Sequence, residues 1–329
     1  MSFLKAILGT AGALAMTATA VLADPAIIYD LGGKFDKSFN ESAFNGAERW
    51  AKETGGKYRE IELTSEAQRE QALRRFADAG YSPIVMAGFA FASALETVAK
   101  DYPGTKFQLI DMVVGNENVR SLVFSEHEGS YLVGIAAAMA SKSGTVGFVG
   151  GMDIPLIRKF ACGYVQGVKS VNADATVIQN MTGTTPSAWN DPVKGAELTK
   201  AQIAQGADVV YAAAGATGVG VLQTAADEGI FSIGVDANQN YLHPGSVLTS
   251  MMKRVDNAVY NAFKAGTDLE TGFHVMGIAQ GGIDYALDDY NKDIFTADMK
   301  AAVDTAKAGI VDGSVKVHDY MSDNSCPVK

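Results

Sequence analysis

Cysteine is almost missing from this chain: there are two in 329 residues, Cys162 and Cys326, too far apart for a zinc or redox motif. Histidine is nearly as scarce, and His127, His243, His274 and His318 show no metal-ligand spacing. No Gly-x-x-x-x-Gly-Lys-Ser/Thr loop and no Gly-x-Gly-x-x-Gly opening a helix after a strand occurs, so the usual phosphate cradles are excluded. A Gly-x-Ser-x-Gly nucleophile elbow is lacking as well. Basic charge is in short supply, 27 Lys and Arg against 37 Asp and Glu for a net charge of −10. That balance argues against nucleic acid or an anionic membrane as a partner.

Long apolar runs are lacking after the first two dozen residues, which excludes a later membrane-spanning helix of ~20 residues. The start reads as an export signal: Lys5, an apolar run of small residues from Ala6 to Ala20, and Val21-Leu22-Ala23 before the expected cleavage. No cysteine follows that site, so a free periplasmic protein, monomeric and with no membrane insertion, is expected. An oxidising compartment would let Cys162 and Cys326 pair, but sequence alone does not decide whether they meet.

Cleavage after Ala23 would leave 306 residues, natural for two lobes of ~150. Hydrophobic residues at 47%, charged residues at 19% and 35 glycines describe an ordered α/β protein with many tight turns. Short β-rich runs alternate with amphipathic helices: a strand at Ile27–Tyr29, a helix carrying Phe44, Ala47 and Trp50, a strand at Tyr58–Leu63, a Ser65-capped helix, and strands at Ile84–Met86 and Phe107–Ile110. The rhythm restarts at Thr145–Gly150 and runs on to Asp236. Two such series predict two doubly wound parallel-sheet lobes joined by a structured hinge.

In open parallel sheets the ligand lies at the carboxyl ends of the strands. The residues there are Asp30, Asp36, Phe39 and Asn40 after the first strand, Gly88 and Phe89 after the third, and Asp111 after the fourth. The second series supplies Trp189, Gly215 and Asp236. This inventory suits a nucleoside. A flat base between Phe39 and Trp189 gains ~1–3 kcal/mol per ring by stacking. Carboxylates accept from ribose hydroxyls or an exocyclic amine, and Asn40 both donates and accepts. Neither cofactor nor metal is called for.

The segments Asp36-Lys37-Ser38-Phe39-Asn40, Gly144–Gly151, Gly206–Val210, Ala214–Gly218, Gly234-Val235-Asp236 and Ser250–Val255 together resemble the basic membrane protein family, the nucleoside-binding substrate receptors of ABC importers, in their purine nucleoside receptor type. The resemblance covers nearly the whole mature chain in order. It implies the type I periplasmic binding fold of ribose-binding proteins, no enzymatic step, and an inner-membrane ABC permease as partner. It implies that Phe39 is the first stacking ring, that Asn40 reads the ligand, and that Asp111, Asp236 and Lys253 hold the ribose or base edge. The second ring of the family is usually Phe in a Ser-Phe-x-Asp setting; here the segment reads Ser187-Ala188-Trp189-Asn190-Asp191. The resemblance also implies three crossings between lobes, near Phe124, Thr249 and Gly277. One lobe would then span residues 24–124 with 250–277, and the other 125–249 with 278–329.

Other readings compete. Phe39 could be a helix staple, Trp189 a loop anchor, Asp30 and Asp36 helix caps, and Lys253 part of a solvated face. The same scaffold could bind a sugar, nucleobase, flavin or signalling ligand. Asp30 and Asp36 with a metal could serve a nucleoside hydrolase. Ser250-Met251-Met252-Lys253, Ser322-Asp323-Asn324 and Lys142-Ser143-Gly144 match penicillin-recognising acyl enzymes only piecewise, and their order along the chain is wrong for that family.

Overall fold

A computed structural model describes residues 23–328; the expected signal peptide lies outside them but for Ala23. Strand β1 (Ala26–Tyr29) is buried along its length, as a central parallel strand covered on both faces must be. Helix α1 (Phe39–Thr54) follows and stops at Gly55, whose φ of 71° provides the left-handed C-terminal residue. Then come β2 (Arg59–Glu62), α2 (Gln68–Asp78), β3 (Ile84–Ala87), α3 (Ala92–Asp101), β4 (Phe107–Ile110) and β5 (Val119–Phe124). Ser65 does not cap α2. The Gln68 side chain instead accepts from the Thr64 and Ser65 N–H groups.

The chain then builds α4 (Glu126–Ala140), β6 (Thr145–Met152), α5 (Pro155–Val171), β7 (Thr176–Gly183), α6 (Pro192–Ile203), β8 (Val209–Ala213), α7 (Thr217–Asp227), β9 (Phe231–Asp236) and β10 (Val247–Lys253). Helix α6 opens on Asp191, which accepts from Lys194 N–H, with Pro192 in the first turn where a missing N–H costs nothing. The last elements are α8 (Val255–Ala265), β11 (Gly272–Met276), β12 (Ile283–Tyr285) and α9 (Ala297–Asp312).

Two six-stranded sheets result, ordered β2-β1-β3-β4-β5-β11 and β7-β6-β8-β9-β10-β12. The first is parallel throughout, and in the second only β12 runs antiparallel, against β10. The orders match, so each lobe has its topological switch between its first and third strands: β1/β3 and β6/β8. A ligand is expected at the carboxyl ends there.

The second crossing, expected near Thr249, falls after Lys253. Ser250–Met252 pair with Gly234–Asp236 on one side, and Met251–Lys253 pair with β12 on the other, so β10 stays in the second sheet to its last residue. Helix α8 then returns to the first lobe, where the Cβ-less Gly46 of α1 lets the Asp256 backbone approach. The three crossings lie side by side: Ser125 N–H donates to the Met276 carbonyl (3.2 Å), Ile278 N–H to Glu128 (2.8 Å), and Arg254 N–H to the Gly282 carbonyl (2.8 Å). Cys162 and Cys326 are bonded, fixing the C-terminal tail to α5.

Candidate functional site

The carboxyl ends of both sheets face a cavity of about 370 Å³, within the range of small-molecule sites. All eleven positions singled out from the sequence line it: Asp30, Asp36, Phe39, Asn40, Gly88, Phe89, Asp111, Trp189, Gly215, Asp236 and Lys253.

The first loop is held from within. Asp36 accepts the N–H groups of Ser38 (2.8 Å), Asn40 (3.0 Å) and Glu41 (3.1 Å), so it caps the start of α1. Burial nevertheless pushes its carboxyl up to about 7. Asp30 accepts from Leu31 N–H (2.9 Å) and from two guanidinium nitrogens of Arg69 (3.2 and 2.9 Å), all on Oδ1. As a metal-holding pair, Asp30 and Asp36 are thus otherwise engaged, and among the described residues no group of three or more His, Cys, Asp or Glu is placed to hold a metal. Asn40 donates through Nδ2 to the carbonyls of Asp30 (3.2 Å) and Gly33 (3.1 Å), which fixes the amide. Its Oδ1 is buried without a partner.

Beside that loop the cavity wall is ionic. Lys253, only 2% exposed and so no part of a solvated face, pairs with Asp111 (2.7 Å) from the first lobe and Glu126 (2.9 Å) from the second. Its ammonium lies 5.1 Å from the Phe39 ring centre, within cation–π range. Burial alone would push that ammonium down, but Asp111 and Glu126 hold it above its usual value. Burial raises Asp111 to about 6 in spite of Lys253, and its Oδ1 has no partner. Burial likewise raises Asp236. Asp111 and Asp236 sit at φ 73° and 65°, a left-handed backbone rare for residues with a side chain and frequent at functional positions. Burial would raise Glu126, yet Lys159 and Lys253 hold it down at about 2.

Trp189 enters from the second lobe, on the loop after β7. Its indole lies against the bare backbone of Gly151, where an added Cβ would be 2.1 Å from the ring. The lobes touch across the cleft: Ser38 Oγ donates to Asp236, and Gln239 Nε2 donates to the Lys37 carbonyl (2.9 Å). This is a closed arrangement.

Sequence reasoning missed Arg69, Gly151 and Glu126. Arg69 shares the stripe of α2 that buries Ala72, Leu73, Phe76 and Ala77, so the helical period marked it as inward-facing. Gly151 belongs to a Gly-Gly pair at the end of β6, a place of close approach. Glu126 gave no local signal, because its partners come from β10 and α5.

A family model described as "ABC transporter substrate-binding protein PnrA-like", for the Bmp family, matches residues 25–318. The chain is 33% identical over 323 residues to the ABC transporter nucleoside-binding protein BmpA of Lactococcus lactis subsp. cremoris, covering 89% of this chain and 88% of that protein. It is 36% identical over 281 residues to an uncharacterized lipoprotein of Pyrococcus furiosus, covering 79% and 69% respectively. Among solved structures, an ABC transporter solute-binding protein from Aeropyrum pernix K1 is similar, with a TM-score of 0.80 at 30% identity over 89% of this chain and 92% of that one.

Proposed function

The chain belongs to the Bmp family of PnrA-like ABC transporter substrate-binding proteins, and from that premise we propose that it captures a nucleoside, with purines favoured, in the cleft between its lobes. The fold is that of type I periplasmic binding proteins, the family delivers ligands to a transporter permease, and its members work outside the cytoplasm. The observation that carries the nucleoside reading is the convergence of Phe39 and Trp189, one from each lobe, on a cavity that Asp111, Asp236 and Lys253 also line. Rings suit the base. Two carboxylates and an ammonium suit the vicinal hydroxyls and ring oxygen of a ribose. The partnerless Oδ1 atoms of Asn40 and Asp111 are acceptors that a base N–H and a hydroxyl would satisfy.

Capture is closure without a chemical step. The ligand docks on the first lobe against Phe39 and Asn40. The second lobe then brings Trp189 and Asp236, and the closed state gains population by the affinity those contacts add. The closed surface, which the Ser38–Asp236 and Gln239–Lys37 contacts define, is the form offered to the permease. Release after Ala23 would leave a free periplasmic monomer, unlike the lipoprotein relative.

Titrating the Phe39→Ala and Trp189→Ala variants with a purine nucleoside tests the reading. Each should lose about 5- to 150-fold in affinity, the equivalent of ~1–3 kcal/mol of stacking. A ligand bound by hydroxyl contacts alone, such as a sugar, would leave both variants near wild-type affinity and overturn it.

A further inference from the structure

Two side chains of the first lobe, Asp30 and Asn40, bring hydrogen-bond acceptors to the cleft. Asn40 spends its NH2 group on two backbone carbonyls, so Oδ1 is the atom left for a ligand, and it is buried with no protein partner. Asp30 receives its three protein donors on Oδ1. Oδ2 stays clear of them and lies at Gly88, where an added Cβ would be 3.4 Å away. The two residues are neighbours, since the Asn40 amide donates to the Asp30 carbonyl. Arg69, on α2, also lines the cavity, yet its guanidinium is turned onto Asp30 and Glu66.

Resting on the nucleoside reading, we infer that Arg69 is a positioning residue that fixes Asp30 as an ionised acceptor, so that Asp30 Oδ2 and Asn40 Oδ1 together select a purine edge carrying two adjacent N–H donors. The N1–H and 2-amino edge of guanine has that pattern. Hypoxanthine offers N1–H alone, and adenine places an acceptor at N1. An acceptor facing an acceptor leaves both desolvated and unpaired, so discrimination comes from the penalty as much as from the bond.

The charged groups acting on Asp30 are Arg69 and Glu66. Burial drives the Asp30 carboxyl upward, Arg69 opposes that, and Glu66 adds to it. Removing Arg69 therefore lets Asp30 take up a proton at a higher pH and converts an acceptor into a donor. The sign follows: guanosine affinity falls more steeply with falling pH in an Arg69→Gln protein than in the wild type, whose own slope carries the Asp36 carboxyl near 7.

Calorimetric titration of guanosine, inosine and adenosine into the wild-type and Arg69→Gln proteins, each at pH 6 and 8, is the test, with thermal unfolding as a check on the fold. The expected result is guanosine over inosine by about 10-fold or more in the wild type, one bond to a charged acceptor being worth about that much. In the variant that ratio shrinks and the pH slope steepens. A purely structural Arg69 would lower stability without moving either the ratio or the slope. Equal wild-type affinities for guanosine and inosine overturn the inference even if the variant fails to fold. So does a variant with unchanged ratio and unchanged slope. Wild-type silence toward all three nucleosides overturns the nucleoside reading itself, and the inference with it.

Discussion

Gly151→Ala should weaken nucleoside binding without touching the ligand. The new methyl would lie 2.1 Å from Cζ3 and 2.4 Å from Cε3 of Trp189, where ordinary contact begins at 3.4 Å. The indole must therefore retreat by roughly 1.3 Å, the difference between those distances. A radial change of 0.5–1 Å already forfeits about a quarter to a half of a dispersion well, so most of the stacking contribution of that ring is lost. At ~1–3 kcal/mol per stacked base, affinity should fall about 5- to 150-fold. Because the side chain that yields is a loop aromatic, the protein should remain folded, and a thermal melt checks this. The decisive assay is a double-mutant cycle by calorimetry. If Gly151 acts only through Trp189, Gly151→Ala adds nothing in a Trp189→Ala background. Wild-type affinity in Gly151→Ala, or losses that sum in the double variant, would refute the reasoning.

Lys253→Met should lower stability by ~3–5 kcal/mol, because it strands the Asp111 carboxylate in a buried site and leaves Glu126 with Lys159 alone; urea unfolding measures it, and a loss under 1 kcal/mol would contradict the ion-pair account. Burial, helped by Lys159, holds His127 down at about 4 in the folded protein, below the usual 6.5. The unfolded chain then binds a proton first as pH falls, so the His127 contribution is fully present above pH 6.5 and is lost between 6.5 and about 4. Compared with the wild type, His127→Gln should lose less stability between pH 7 and 4.5 in urea titrations, and parallel losses would count against the assignment. Cys326→Ser opens a crosslink spanning 164 residues, and the chain-entropy argument gives ~5 kcal/mol for it. An unchanged denaturation midpoint under oxidising conditions would show that the tail contributes nothing to the folded state.

Much of this molecule is legible in the chain. The alternation of buried four-residue strands such as Ala26–Tyr29 with helices of clear period fixes parallel sheets, and parallel sheets fix which strand ends face a ligand. That rule placed ten residues around one cavity, and the family resemblance added Lys253. What escaped it is tertiary. Asp36 stands in the right loop, but whether a carboxylate there faces a ligand or gathers three N–H groups depends on loop geometry that spacing does not record. The lobe border moved from Thr249 to Lys253 because β10 is stabilised by partners on both sides, and β12 lies about thirty residues downstream. Glu126 acquires its role only when β10 and α5 bring Lys253 and Lys159 to it, and the disulfide depends on the path of the tail. Arg69 is the instructive miss: a cation on the buried stripe of an amphipathic helix is a costly placement, and a cost of that kind marks a partner.

The measurement that bears most directly on the whole account is calorimetric titration of the protein, unfolded and refolded to strip carried-over ligand, with adenosine, guanosine, inosine, uridine, adenine and ribose. The account predicts saturable one-to-one binding of purine nucleosides with ribose silent. Folded protein that ignores every nucleoside, or that answers to ribose as well as to guanosine, would contradict it.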